Sequence, residues 1–177
     1  MELPDFAKAM DYENDFYLSC DSTRISKILA HYELFKMTME IPGAIVECGV
    51  FKGTSLARFA MFRELFGNTF SKKIIGFDVF GKFPETNFDA DQKLRTKFVK
   101  SAGDTGVSVE QMQEILEHKN CNRNVELVAG DICKTLPKYL EENQQLKISL
   151  LNLDTDVYEQ AVTILENCWD RIETGGI

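Results

Sequence analysis

Four short apolar runs, at residues 44–46, 74–77, 125–128 and 148–153, each lead into an acidic residue, and these acids are the sequence's first offer of chemistry. The first run opens into Glu47-Cys48-Gly49-Val50-Phe51-Lys52-Gly53-Thr54-Ser55. Gly49 and Gly53 permit a sharp turn and let a ligand come close to the main chain. Thr54 and Ser55 open a helix whose free N–H groups face the same space, and Glu47 adds a carboxylate to it. The segment is neither GxGxxG nor GxxxxGK followed by Ser or Thr, which disfavours a dinucleotide fingerprint and a P-loop. The second run ends at Asp78, where a carboxylate can accept both hydroxyls of a ribose. Phe80 or Phe83 can lie against an adenine. The third ends in Ala129-Gly130-Asp131, and Asp131 can accept from an adenine amino group or cap the helix that follows. The fourth ends in Leu153-Asp154-Thr155-Asp156-Val157-Tyr158-Glu159. Two carboxylates this close can hold a hard cation, or divide into a ligand and a general base. Asp156 can also cap the last helix, a role compatible with catalysis.

Positioning these acids takes a particular scaffold. Short apolar runs alternating with helical stretches predict βαβ units, a parallel sheet and helices on both of its faces. The helix before the first strand carries Ile25, Ile28, Leu29, Tyr32 and Phe35 at three- and four-residue steps, with Ser22 as N-cap. Pro42-Gly43 ends it. The next helix begins near Thr54 and is closed by Gly67. Residues 81–107 read as irregular, and Ser108-x-x-Gln111 is a capping box opening a helix with Met112, Ile115 and Leu116 on one face. The stretch 81–120 reads as a lid-like insertion or as a surface helical one. The last helix has Ala161, Ile164, Leu165, Cys168, Trp169 and Ile172 as its apolar stripe, ended by Gly175-Gly176. Residues 1–20 form an arm or a short helix.

The chain has 177 residues, the size of one domain. Its net charge of −8 argues against a nucleic-acid backbone as partner, because phosphates need a basic face. No apolar run is long enough for a membrane helix, and Asp5, Asp11, Glu13 and Asp15 exclude a signal peptide. Five cysteines without a CxxC pair disfavour zinc and a disulfide framework, and point to reduced thiols and a cytoplasmic protein.

In order along the chain, ECGVFKGTS, GFDVFGKFPE, GD-x-x-x-TLP and LLNLDTDVYEQA followed by GGI resemble the macrocin O-methyltransferase family. The resemblance runs from about Arg24 to Ile177, and LDTDVYE with its downstream GG is the most specific part. It implies a Rossmann-like class I methyltransferase core that uses S-adenosylmethionine and a divalent cation, Mg²⁺, to methylate hydroxyls, often of sugars. By resemblance, Glu47, Gly49, Gly53 and Ser55 border the methionine part of the cofactor, and Phe51 and Thr54 belong to the same contact segment. Asp78 takes the ribose, with Phe80 beside it, and Asp131 lies near the adenine. Asp154 is a metal ligand, and Asp156 is the base that deprotonates a small-molecule hydroxyl acceptor. Gly81-Lys82 stands where the family has Glu-Gly. The family continues past GG into a strand carrying two more aspartates, so the expected α/β fold is one lacking its C-terminal strands, with order 3-2-1-4 and an open fourth-strand edge that favours a homo-oligomer. A nicotinamide-dependent oxidoreductase and a non-catalytic binding protein are the alternative readings.

Overall fold

The structure is a computed structural model that describes residues 1–82 and 89–177. Phe83, a candidate adenine contact, lies outside the described residues. The chain opens with a 3₁₀ turn at Phe6–Lys8 and then runs α1 (Ala9–Ser19), α2 (Ser22–Met37), β1 (Ala44–Cys48), α3 (Thr54–Phe66) and β2 (Ile74–Asp78). It continues with α4 (Asp89–Ala102), α5 (Val109–His118), β3 (Val125–Ala129), α6 (Ile132–Glu142), β4 (Ile148–Leu153) and α7 (Tyr158–Cys168).

The sheet has the order β3-β2-β1-β4, all parallel, as the alternation of strands and helices predicts. β1 is buried at all five positions, which is why it reads as a continuous apolar run with one exception, Glu47. One apolar layer joins Ile45, Leu56, Phe59, Met112 and Leu116, and so packs α3 and α5 on one face of the sheet. The other joins Val46, Phe77, Leu136, Leu140 and Ile164, and packs α6 and α7 on the opposite face.

Several expectations need correction. The stretch read as irregular contains the helix α4. The second half of the 81–120 insertion is core, because Val107 and Met112 are wholly buried against the first sheet face. Its entry is tied down as well: the Gly106 N–H donates to the Gly81 carbonyl, and the Val107 N–H to that of Phe51. Asp21, one residue before Ser22, caps α2 by accepting from the Thr23 N–H at 2.9 Å. Asp156 does not cap α7. The N-cap is Val157, without a side-chain bond, and Asp156 itself adopts a left-handed φ of 53°. α7 also stops at Cys168, and Trp169 is 68% exposed in a 3₁₀ turn, outside the core stripe. The capping box at Ser108 and Gln111 is present with both of its bonds.

The β4 edge is not the open row that the sequence suggests. The Glu173 N–H donates to the Ile148 carbonyl at 2.9 Å, and the Ile177 N–H to that of Ser149 at 3.0 Å. The Leu151 N–H donates to the Ile177 carbonyl at 2.7 Å. The segment after α7 thus folds back along the first half of β4.

Candidate active site

In an open parallel sheet the ligand crevice lies beyond the carboxyl ends of the strands. Here that crevice is lined by Gly49 and Phe51 after β1, Asp78 and Val79 at the tip of β2, Gly130 and Ile132 after β3, and Asp154, Thr155 and Gln160 after β4. All four strand tips contribute to it.

The turn after β1 is set by backbone geometry. Gly49 has φ +96°, and a Cβ there would collide with the Asp154 carbonyl. The Asp154 N–H in turn donates to the Cys48 carbonyl at 2.9 Å. Glycine at this position is therefore what lets the tips of β1 and β4 meet. Gly53, at φ +76°, is the N-cap of α3 and lies against Met112.

Asp78 organises the two loops that flank the crevice. Its Oδ2 accepts from the Phe51 N–H at 2.9 Å, and its Oδ1 from the Phe80 N–H at 2.8 Å. A carboxylate has about four lone-pair sites, so capacity for ligand hydroxyls remains. Phe51 and Phe80, the two residues so held, both take positive φ, near 50°.

Glu47 and Ser55 are buried and are not among the residues that line the crevice. The Ser55 hydroxyl donates to Glu47 Oε1, and both side chains are buried. Glu47 Oε2 has no hydrogen-bond partner. Burial pushes the Glu47 carboxyl up to about 8, with the Ser55 bond opposing that rise and the charge of Asp154 adding to it. Thr155 Oγ1 is likewise buried without a partner, and Thr155 lines the crevice. Unpaired buried polar atoms are costly and rare in folded proteins.

The remaining candidates divide. Phe80 does not face an adenine site, because it is buried in the apolar layer against α3 and α5. Thr54 is exposed and lines a separate apolar groove formed with residues of the N-terminal segment. Asp131 caps α6 through the Cys133 N–H at 3.1 Å and pairs with Lys134. Only its neighbours Gly130 and Ile132 line the crevice.

Asp154 and Asp156 come together after β4, and burial with the charge of Asp154 raises the Asp156 carboxyl above its ordinary value. Lys27, from α2, stands on Asp154 Oδ2 at 3.2 Å. One turn along, His31 is buried, stacked on Phe59 at 5.0 Å and bonded to Arg58 at 3.0 Å. Burial and the charges of Arg58 and Lys27 hold its imidazole down at about 4. Sequence reasoning missed these groups. Lys27 and His31 are four residues apart and so share one face of α2, a signal present in the sequence but pointing to nothing until the fold places β4 beside it.

The donor set does not make a Mg²⁺ site by itself. Magnesium wants six oxygens in octahedral array, whereas this structure offers two carboxylates, one already paired with an ammonium. Among the described residues there is no group of three or more His, Cys, Asp or Glu side chains able to hold a metal ion.

The family model for macrocin-O-methyltransferases (TylF) matches residues 10–177. The chain belongs to the macrocin O-methyltransferase family. It is a methyltransferase acting on oxygen by that membership. Two solved structures of CalS11 share its architecture. The calicheamicin methyltransferase form is 28% identical, with a TM-score of 0.77, over 99% of this chain and 70% of that one. The apo form, a TDP-rhamnose 3'-O-methyltransferase, is 24% identical, with a TM-score of 0.65, over 99% of this chain and 69% of that one. The O-methyltransferase NovP has the same fold at 19% identity and a TM-score of 0.72, over 86% of this chain and 62% of that one. No curated protein matches by sequence at a significant level. Asp78, Gly49 and Asp154 line one crevice, and membership of a methyltransferase family excludes the nicotinamide reading.

Proposed function

We propose that this chain binds S-adenosylmethionine in the crevice and transfers its methyl group to a hydroxyl of a sugar or related small molecule. The observation that carries the reading is Asp78. Its carboxylate lines the crevice and latches both flanking loops through main-chain N–H groups. It thereby sits where a ribose would be gripped, with Thr155 in the same lining. CalS11, a TDP-rhamnose 3'-O-methyltransferase, supports a sugar as acceptor.

Adenosylmethionine, when bound, would supply a methyl group activated by its sulfonium, with the neutral thioether as leaving group. The chain's own work is to orient the reactants and to take the proton. Asp156 is the base in this reading. Its raised carboxyl binds that proton more strongly than an ordinary aspartate would. Asp78 holds the nucleoside end, and the Gly49 turn admits the ligand next to the main chain. The described donors do not by themselves build a Mg²⁺ site.

Calorimetry with adenosylhomocysteine tests the cofactor assignment. Asp78→Ala is expected to weaken binding by ~2 kcal/mol, the loss of hydrogen bonds to a charged acceptor. Unchanged affinity in a variant with an unchanged melting midpoint would remove Asp78 from the site.

Self-association and a cytoplasmic location are part of the same proposal. Tyr158, Leu165 and Trp169 leave an apolar stripe exposed on α7 and the turn after it, and a second copy would cover it. Light scattering is expected to give a dimer or larger species, and Trp169→Glu to reduce it. A monodisperse monomer at high concentration would end this part of the reading. The cytoplasmic location is supported by five unpaired thiols, and among the described residues no helix is long and apolar enough to cross a membrane.

A further inference from the structure

The Lys27 ammonium reaches Asp154 Oδ2 at 3.2 Å across 127 positions of sequence. It comes from α2, which precedes the sheet. α2 is fixed by aromatic packing on α3: Tyr32 meets Phe62 and Phe66 at ring distances of 5.9 and 5.4 Å, and Phe35 meets Phe62 at 5.7 Å. One turn beyond Lys27, His31 is clamped between the Phe59 ring and Arg58. The ammonium is therefore delivered by an anchored helix. Asp154 is equally fixed, through its N–H on the Cys48 carbonyl and the close approach of Gly49.

We propose that Lys27 is the resident cation of the Asp154–Asp156 pair, a positioning residue that holds Asp154 and competes directly with divalent cations for its carboxylate. This rests on the reading of the crevice as the methyl-transfer site. The two carboxylates sit two residues apart at one strand tip, and without a counter-charge they repel each other. An ammonium on a fixed helix supplies that charge without the six-oxygen shell that Mg²⁺ demands. A divalent ion approaching Asp154 must displace the ammonium or lie beside a like charge. Lys27 thus supplies from the chain itself the positive charge that stands against Asp154.

The test is Mn²⁺ binding, read from the electron paramagnetic resonance of free Mn²⁺, with Mg²⁺ as competitor. Lys27→Met is expected to bind Mn²⁺ roughly tenfold more tightly than the wild type, the order expected for removing a like charge a few ångströms away. Lys27→Arg should bind as the wild type does, and adding Asp154→Asn to Lys27→Met should abolish the gain. Lys138→Met removes an exposed lysine on α6 as a control and should leave the affinity unmoved. Lys27 and Asp154 are both about half exposed, so these changes leave the fold intact, which a melting curve checks. Unchanged or weaker Mn²⁺ binding in Lys27→Met, or an equal gain in Lys138→Met, overturns the proposal. Calorimetry with adenosylhomocysteine on the same proteins separates the two levels: cofactor binding with unmoved Mn²⁺ affinity removes Lys27 alone, whereas no cofactor binding by the wild type removes the site reading beneath it.

Discussion

Arg63→Met is expected to destabilise the protein by roughly 3–5 kcal/mol, the cost of breaking a buried charged network from one side. Arg63 lies on α3 and is wholly buried. Nη1 donates to the Lys72 and Asn124 carbonyls at 3.2 and 3.1 Å, and Nη2 to those of Cys121 and Arg123 at 3.2 and 2.8 Å. Nε and Nη2 also donate to Glu64 Oε1. One side chain therefore ties the end of α3 to the segments that enter β2 and β3, at the end of the sheet away from the crevice. Methionine fills similar volume but leaves four carbonyls without this donor, and a buried unsatisfied acceptor costs about 1–3 kcal/mol. Arg63→Lys should recover little, because an ammonium cannot reach the fork of partners that a planar guanidinium spans. Urea denaturation of the three proteins measures this. A loss within the ±0.5 kcal/mol or so of ordinary surface substitutions would show that the network is dispensable.

The second large effect is a pH dependence that originates at Glu47. Its folded carboxyl titrates near 8 and its unfolded one near 4.5. Between these values the unfolded chain has released a proton that the folded chain still holds, so stability falls as pH rises. The contribution is fully present below pH 4.5 and is gone above pH 8. Each pKa unit is worth about 1.4 kcal/mol, so the loss across this window is several kcal/mol. His31 acts in the opposite direction, but only between about 4 and 6.5. Above pH 6.5 the fall due to Glu47 should therefore stand clear of His31, and the raised carboxyl of Asp156 acts in the same direction as Glu47. Glu47→Gln keeps an acceptor for Ser55 and removes the titration. Its melting midpoint should decline much less from pH 6.5 to 8.5 than that of the wild type. Parallel curves would mean that Glu47 is ionised in the folded protein and that its charge is compensated.

Much of the scaffold was legible because its signals are local. The β4 run Ile-Ser-Leu-Leu-Asn-Leu is apolar enough to announce a buried parallel strand, and the Ser108 capping box is a matter of two side chains three residues apart. α4 was not legible. Its sequence is charged, with little apolar signal to set against coil. The N-caps at Asp21 and Val157 were misplaced by one residue, because a side chain that can cap and one that does differ only in backbone angle.

The site divides in the same way. The types and order of the residues placed Gly49, Asp78 and Asp154 at strand tips, and a parallel sheet must bring its strand tips to one crevice. That much the chain determined alone. Only tertiary structure decided where each side chain spends its hydrogen bonds. Asp131 spends its carboxylate on a helix cap, and Phe80, its N–H held by Asp78, has its ring in the core. Glu47 is closed off from water by α3, and that burial keeps its proton. Lys27 and Arg63 read as ordinary surface cations, since nothing within a few residues distinguishes them. Their partners lie 127 and up to 61 positions away, so their roles exist only once the chain has folded and brought a carboxylate to one and four carbonyls to the other.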